Sequence, residues 1–214
     1  MGNCSMGPPA DFIVFLRDSF GLDTFIEGGT YRGTTARWAG TIFGRVVTIE
    51  LSEELHKAAK TRLSPMKNVD CLQGNTREVL NAILPTLTGP AVFWLDAHWS
   101  GGITAGEENE CPILEEIAAI NESSFEHVIL IDDARLFLAP PPAPHKREQW
   151  PDVWEVEQAL RSGRIARRTL IADDVIIAVP QGSAERVLEF WHRRRPATPT
   201  MKDRAITLWK ALRS

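Results

Sequence analysis

Short apolar runs alternate with helix-forming segments along most of this chain, and this alternation constrains its fold more than any other feature. Continuous apolar runs are typical of strands buried on both faces of a parallel sheet, and alternation with helices is typical of a sheet covered on both faces. An amphipathic segment at 11–20 precedes the first run. The predicted strands are 24–26, 45–49, 69–72, 91–95 and 128–131, and the predicted helices between them are 34–41, 52–62, 76–84 and 112–120.

The pattern changes after the fifth run. Residues 139–144 are rich in proline, which fixes φ and lacks a backbone donor, so a loop is predicted there. A helix at 151–161 follows, and then runs at 167–171 and 175–179 whose short connection predicts an antiparallel hairpin. We therefore expect an α/β, Rossmann-like fold: a seven-stranded, mostly parallel sheet with an antiparallel terminal hairpin and helices on both faces.

The domain organisation follows from the same pattern. Residues 1–10 are expected to be a disordered leader, residues 11–180 one α/β domain, and residues 181–214 a helical extension with helices at 183–194 and 201–212. Two prolines, Pro196 and Pro199, separate these last two helices.

Composition narrows the classes of partner. The net charge of −4 argues against a nucleic-acid partner, and the basic run at 192–195 is typical of a solvated helix end. Three cysteines without a close pair indicate neither a disulfide framework nor a zinc site, which favours a reducing cytoplasmic location. No stretch approaches the ~20 apolar residues of a membrane span, so no membrane partner is expected. The sequence leaves open whether the chain forms a homo-oligomer.

Two of the apolar runs end directly on acidic residues. The run at 91–95 is followed by Asp96 and His98, and the run at 128–131 by Asp132 and Asp133. Open α/β sheets bind ligands beyond the carboxyl ends of their strands, so these four side chains are expected to converge. Three carboxylates and an imidazole indicate a site for a hard metal ion with a base beside it.

A glycine-rich turn follows the first run, with the sequence Glu27-Gly28-Gly29-Thr30-Tyr31-Arg32-Gly33. Such a turn between strand and helix lets a ligand approach the backbone closely. The dinucleotide fingerprint needs glycine at position 30, where this chain has threonine, so a nicotinamide cofactor is disfavoured. Glu50 ends the second run at the distance at which an acid meets a ribose diol.

This series, continued by Gly74-Asn75-Thr76 after the third run, resembles the cofactor site of class I S-adenosylmethionine-dependent methyltransferases. The resemblance implies their fold, with the methionine part of the cofactor held by the turn. It also implies that Glu50 binds the ribose hydroxyls and that Asn75 contacts the adenine, although a helix N-cap is nearly as good an interpretation of Asn75. The implied cofactor-binding residues are Glu27, Gly28, Gly29, Thr30, Gly33, Glu50, Asn75 and Asp96.

The acid cluster is similar to that of the metal-dependent O-methyltransferases of the macrocin and aminocoumarin sugar type. That resemblance implies a metal held by Asp96, Asp132 and Asp133, with His98 at the position where some relatives have an aspartate base. Carboxylates without thiolates favour Mg²⁺ or Mn²⁺. Histidine, with an unperturbed pKa near ~6.5, suits a catalytic base, and the sequence leaves open whether His98 is base, ligand or supporting donor.

The expected function is therefore S-adenosylmethionine-dependent, divalent-metal-assisted O-methylation of a small hydroxylated molecule, such as a sugar or glycosylated metabolite. Two alternatives remain: metal-independent methylation with His98 as base, and a non-catalytic cofactor-binding module. The segment 99–110 is expected to be a polar substrate loop with solvated glutamates, including Glu110. Arg135 is expected to form a surface salt bridge, and the acids of the hairpin turn, Asp173 and Asp174, are assigned to the turn and not to the site.

Overall fold

The structure is a computed structural model that describes residues 7–99, 109–139 and 141–194. Most of the predicted leader and the predicted helix at 201–212 lie outside these ranges. The chain divides into a first unit of residues 1–184 and a second of residues 185–214. The strands of the first unit are β1 (Thr24–Gly28), β2 (Arg45–Glu50), β3 (Val69–Gln73), β4 (Ala91–Leu95), β5 (Val128–Ile131), β6 (Arg167–Ala172) and β7 (Val175–Pro180).

Among the described residues of the first unit, seven α-helices accompany these strands, and all but one were predicted within a few residues. They are α1 (Ala10–Phe20), α2 (Thr34–Ala39), α3 (Glu53–Leu63), α4 (Thr76–Ile83), α5 (Ile113–Asn121), α6 (Arg135–Leu138) and α7 (Val153–Arg161). The exception is α6, a single turn that was not predicted. An eighth helix, α8 (Ala184–Arg193), lies almost wholly in the second unit.

The sheet has the strand order β3-β2-β1-β4-β5-β7-β6. Strands β1 to β5 are parallel, and β7 is antiparallel to both β5 and β6, which confirms the predicted seven-stranded sheet with a terminal hairpin. Asp173 and Asp174 form the hairpin turn with φ of 49° and 64°. This left-handed conformation is one that aspartate tolerates better than most residues.

The core explains why the apolar runs are continuous. Ile26 and Phe93 belong to a buried cluster that includes residues of α4, α5 and α7. Phe25 is equally buried but stands next to Ile26 on the strand, so it faces the opposite side of the sheet, where it contacts Phe43. Strands buried on both faces need apolar residues at successive positions.

Several helices begin where the sequence supplies a cap. Ser52 accepts a hydrogen bond from the backbone N–H of Leu55 at the start of α3. Asp152 and Glu155 form a reciprocal capping box at the start of α7. These caps fix the helix starts close to the carboxyl edge of the sheet. No helix in the described ranges is long and apolar enough to span a membrane.

Candidate active site

The strand order places a crevice between β1 and β4. The connection from β1 leads to β2 on one side, and β4 lies on the other side, so the connections diverge at this pair. Such a switch point opens a ligand crevice at the carboxyl edge of a sheet. The backbone N–H of Asp96 donates to the Gly28 carbonyl at 2.9 Å, and that of Asp132 donates to the Leu95 carbonyl at 3.1 Å. The acids therefore sit directly at the edge.

The glycine turn is folded against this edge. Gly29 and Thr30 donate backbone hydrogen bonds to the carbonyl of Ile49, at 3.0 and 3.1 Å. Gly29 has a φ of 90°, and a Cβ there would lie 2.2 Å from the carbonyl oxygen of Asp96. Gly33, with a φ of 70°, caps α2. Only glycine satisfies both requirements at position 29, so the sequence brings the turn into contact with the residue after β4.

Glu27 is buried beneath this turn. Its Oε2 accepts a 2.6 Å hydrogen bond from the Thr48 hydroxyl, and Thr48 Oγ1 lies 2.6 Å from Thr30 Oγ1. Burial raises the pKa of Glu27 to about 8, the Thr48 hydrogen bond opposes the rise, and the Asp96 charge adds to it. No cation within the described residues neutralises this carboxyl group, so the site favours a positive ligand.

Glu50 and Asn75 occupy the ends of the next two strands. Glu50 accepts hydrogen bonds from the backbone N–H groups of Tyr31, at 2.8 Å, and Ser52, at 2.9 Å, so it joins the glycine turn to the start of α3. Asn75 Oδ1 accepts from the N–H of Arg77 at 3.0 Å and is the N-cap of α4. The N-cap interpretation is thus confirmed, and the ribose and adenine contacts stay predictions.

His98 lies between the ends of β4 and β5. Its Nε2 is 3.0 Å from Asp133 Oδ2, its Nδ1 is 3.7 Å from Asp96 Oδ1, and only 6% of its side chain is exposed. Burial by itself lowers the pKa of His98, but the Asp133 hydrogen bond and the nearby carboxylates outweigh it and raise the pKa. Because a carboxylate accepts hydrogen bonds, Nε2 carries the proton in this pair.

The three predicted metal ligands are near one another but differ in their partners. Burial raises the pKa of Asp96 to about 6 and that of Asp132 to about 7, and neighbouring carboxylates contribute to both shifts. Asp133 has a lowered pKa, because hydrogen bonds and charge from His98 and Arg135 exceed the effect of burial. Within the described ranges, no group of three or more acidic, histidine or cysteine side chains is arranged to hold a metal ion. The metal triad stays a prediction.

Two residues that the sequence did not assign to the site, Arg135 and Asp174, hold Asp133 in place. Arg135 contacts Asp133 Oδ1 at 2.5 Å and also pairs with Asp174, which the sequence interpretation left in the hairpin turn. Asp174 Oδ1 additionally accepts from the backbone N–H of Arg135 at 2.9 Å. Arg135 does form a half-exposed salt bridge, but one of its two partners, Asp133, is itself in contact with His98. Arg135 and Asp174 are 39 positions apart in the chain, so no local sequence pattern predicts that they pair.

The expectation that Glu110 is a solvated loop charge was wrong. Its side chain is fully buried. It accepts from Trp150 Nε1 at 2.8 Å, His145 Nδ1 at 3.2 Å and the backbone N–H of Lys146 at 3.1 Å. Glu110 therefore ties the segment before α5 to the proline loop. The rest of the predicted substrate loop, residues 100–108, lies outside the described residues.

A cluster of aromatic rings lies next to His98. The Trp150 ring lies edge-on to His98, with centroids 5.5 Å apart, and to His145 at 5.2 Å; Trp99 meets His145 at 5.5 Å. A groove of about 770 Å³ lies beside Trp150, bounded by the first residues of α5 and α7 and by α6. Its volume suits a small molecule.

Glu116 is a further buried acid that the sequence did not single out. It lies on α5 with 1% exposure, and Oε1 would be 3.4 Å from a Cβ at Gly28. Burial raises its pKa to about 7, opposed by a hydrogen bond from Thr76. Its Oε1 has no hydrogen-bond partner among the described residues. Glu116 is thus a second buried carboxyl group next to the glycine turn, besides Glu27.

Comparison with known proteins supports the fold. No protein-family model and no curated protein matches the chain. Among solved structures, an O-methyltransferase from Bacillus cereus in complex with SAH is 18% identical, with a TM-score of 0.56 and 83% of each chain covered. An O-methyltransferase of tomaymycin synthesis from Streptomyces achromogenes, in complex with SAM, is 19% identical, with a TM-score of 0.52 and coverage of 83% of this chain and 82% of the other.

A third structure is an amino pentose methyltransferase from Micromonospora echinaspora that is involved in calicheamicin biosynthesis and was solved with SAM bound. It is 12% identical, with a TM-score of 0.52 and coverage of 80% of this chain and 89% of the other. The chain therefore has the Rossmann-like fold of class I methyltransferases, as the glycine turn and strand pattern predicted. At these identities the likeness concerns the fold.

Proposed function

We propose that this protein is an S-adenosylmethionine-dependent O-methyltransferase that acts on a hydroxyl group of a small molecule, a sugar or glycosylated metabolite. The observation that carries the proposal is the closeness of the two halves of the site. A Cβ at Gly29 would lie 2.2 Å from the carbonyl of Asp96, and His98 follows two residues later. The expected cofactor turn and the candidate base thus share one crevice.

The charges of the crevice suit a cationic cofactor. Desolvation raises the pKa values of buried Glu27 and of partly buried Asp96 and Asp132, neighbouring carboxylates add to each rise, and a sulfonium would supply positive charge there. In this proposal Gly28, Gly29, Thr30 and Gly33 admit the methionine part, and Asp96 borders it. Glu50 binds the ribose hydroxyls. The amide nitrogen of Asn75 is left to meet the adenine, since its oxygen caps α4.

In the proposed reaction the acceptor hydroxyl oxygen attacks the methyl carbon as the bond from carbon to sulfur breaks, and the electron pair of that bond stays on sulfur. The hydroxyl proton needs an acceptor. His98 suits this role, because Asp133 holds its Nε2–H and leaves Nδ1 as the ring nitrogen able to take a proton. Several structural neighbours with this fold are O-methyltransferases in complex with SAM or SAH, which supports the reaction class.

The proposal includes Mg²⁺ or Mn²⁺ held by Asp96, Asp132 and Asp133. Their oxygens are the donors that such ions prefer. Burial, with a smaller contribution from neighbouring carboxylates, raises the pKa values of Asp96 and Asp132, and a bound cation would oppose that rise. A divalent ion would lower the pKa of a coordinated hydroxyl, so that its proton is removed more easily. Asp133 would share its carboxylate between the ion and its present partners.

One observation favours a second candidate, methyl transfer without a metal. Both oxygens of Asp133 already have partners, His98 on one side and Arg135 on the other. This arrangement is that of a histidine base with an orienting acid. In this version Asp96 and Asp132 are electrostatic neighbours of the sulfonium.

A single assay series tests these proposals. Methyl transfer from labelled S-adenosylmethionine would be measured with a panel of hexoses, deoxyhexoses and glycosylated phenols, with added Mg²⁺, with added Mn²⁺ and with EDTA. Turnover that EDTA abolishes and Mg²⁺ restores supports the metal-assisted reaction. Turnover that EDTA leaves unchanged selects the second candidate. Cofactor binding without turnover on the panel indicates a non-catalytic module, and absence of cofactor binding overturns the proposal.

A further inference from the structure

The turn of the β6–β7 hairpin is connected to the candidate active site at three points. Asp174 Oδ2 pairs with the Arg135 guanidinium, and Asp174 Oδ1 accepts from the backbone N–H of Arg135 at 2.9 Å. The Asp174 carbonyl accepts from the N–H of Ala134 at 2.7 Å. One turn residue therefore fixes both the backbone at the start of α6 and the side chain of Arg135.

Arg135 transmits this constraint to Asp133. Its Nη1 donates to Asp133 Oδ1 at 2.5 Å, and Asp133 Oδ2 faces His98 Nε2 at 3.0 Å. The two oxygens of one carboxylate are thus held from opposite sides. Asp133 also has a φ of 56°, a left-handed conformation that needs support from its surroundings.

The exposure of these residues shows where the support comes from. The Arg135 side chain is 50% exposed, whereas that of Asp174 is 11% exposed. A half-exposed arginine held by a single carboxylate gains little and tends to move into solvent. A second carboxylate, fixed by the hairpin, keeps the guanidinium against Asp133.

We propose that Asp174 is a positioning residue that acts through Arg135 and Asp133 to fix the orientation and tautomer of His98. In this assignment Asp133 holds the Nε2–H form, so that Nδ1 remains the proton acceptor. The assignment of a catalytic use to this geometry rests on the proposed methyltransferase function. The orientation itself does not, and it can be measured without substrate.

Asp174→Asn tests the inference with little change in shape. Asparagine tolerates the left-handed turn and keeps an oxygen for the Arg135 N–H, but its amide nitrogen then faces the guanidinium, which also has only donors. The matched control is Asp173→Asn in the same turn. Arg135→Gln removes the intermediate link, and thermal denaturation verifies that each variant is folded.

The primary measurement is the tautomer of His98 in the ligand-free full chain, from ¹⁵N chemical shifts at alkaline pH, with His98→Gln used to assign the signal. The wild type and Asp173→Asn are expected to show the Nε2–H form. Asp174→Asn and Arg135→Gln are expected to show a mixture of tautomers. An unchanged tautomer in both of the latter variants overturns the inference, whether or not the protein methylates anything.

Kinetics separate positioning from a purely structural role. With the hexose and deoxyhexose panel, Asp174→Asn is expected to lower kcat roughly tenfold or more, because a misoriented base loses part of its contribution. Its affinity for S-adenosylmethionine should stay within about twofold of the wild type, since strands β4 and β5 separate β7, which follows Asp174, from β1, which precedes the glycine turn. Equal loss of kcat in Asp173→Asn and Asp174→Asn contradicts the specific role of Asp174. A wild type without turnover but with an altered tautomer in Asp174→Asn refutes the proposed function alone.

Discussion

Glu27 Oε2 and the hydroxyl of Thr48 are joined by a 2.6 Å hydrogen bond across the neighbouring strands β1 and β2. The exposures of the two residues are 2% and 0%. A carboxyl group so deeply buried without a cation is costly to ionise, and burial raises its pKa to about 8. Retaining an acid at this position therefore opposes folding at neutral pH, as is common for residues that serve a ligand.

Glu27→Gln is expected to stabilise the folded protein at alkaline pH. Because the folded pKa is raised from 4.5 to about 8, the contribution of Glu27 to stability is fully present below pH 4.5 and is lost as the pH rises through about 8. The variant lacks this loss, so its stability relative to the wild type should rise over that range by on the order of a few kcal/mol.

Urea denaturation of both proteins at a series of pH values measures this difference. Glu54→Gln, which makes the same substitution at an exposed position on α3, is the matched control. A Glu27→Gln variant that is equally or less stable than the wild type at pH 8 would contradict the assigned burial. The same variant should bind S-adenosylmethionine more weakly, which calorimetry can measure.

Gly29→Ala and Gly28→Ala form a matched pair at the glycine turn. Alanine at 29 combines a φ of 90° with a Cβ only 2.2 Å from the Asp96 carbonyl, so the turn must move. Alanine at 28 meets the Thr76 methyl at 3.1 Å, which a small shift relieves. The first variant should lose more than about 1 kcal/mol from φ alone and most cofactor affinity, and the second much less. A Gly29→Ala variant that binds the cofactor as tightly as the wild type would show that the turn does not bind the cofactor.

Glu110→Ala is expected to loosen the proline loop. The change leaves Trp150 Nε1 and the Lys146 N–H without their buried acceptor, and each unsatisfied donor costs about 1–3 kcal/mol. The melting temperature should fall, and limited proteolysis should cleave the segment around 139–149 faster. Glu148→Ala, at an exposed position in the same loop, is the control. Unchanged cleavage in Glu110→Ala would show that Glu110 does not anchor the loop.

Asp132→Asn tests whether Asp132 binds the proposed metal ion. Because Asp132 lies at the end of β5 and Glu27 and Glu50 at the ends of β1 and β2, the variant should lose Mg²⁺-dependent turnover and keep nearly its full affinity for S-adenosylmethionine. Calorimetry with Mg²⁺ alone provides a readout that does not depend on activity. Metal-dependent turnover equal to that of the wild type would rule out Asp132 as a ligand.

The strands and the order of elements were predicted well, because a strand that is buried on both faces of a parallel sheet appears in the sequence as a continuous apolar run. Residues 128–131 and 91–95 are apolar at every position, and each of these runs forms a strand. The helix predicted at 52–62 begins directly after Ser52, whose side chain caps it. The single turn α6 was missed because four residues are too few for a helical period to be recognised.

The site was predictable only where the fold itself brings strand ends together. His98 and Asp133 follow neighbouring strands, so their closeness follows from strand order. The contacts of Glu110 and Asp174 could not be predicted from strand order. Each of these residues contacts partners about 40 positions away in the chain. Acids of this kind look like solvated loop or turn residues until tertiary contacts are known.

Calorimetric titration of the wild-type chain with S-adenosylmethionine, repeated with Glu50→Ala, tests the central claim most directly. The account predicts one cofactor per chain for the wild type. It predicts affinity weaker by about tenfold or more in Glu50→Ala, because a hydrogen bond to a charged group is lost. A wild-type chain that does not bind S-adenosylmethionine, or a Glu50→Ala variant that is folded and binds it equally well, would contradict the account.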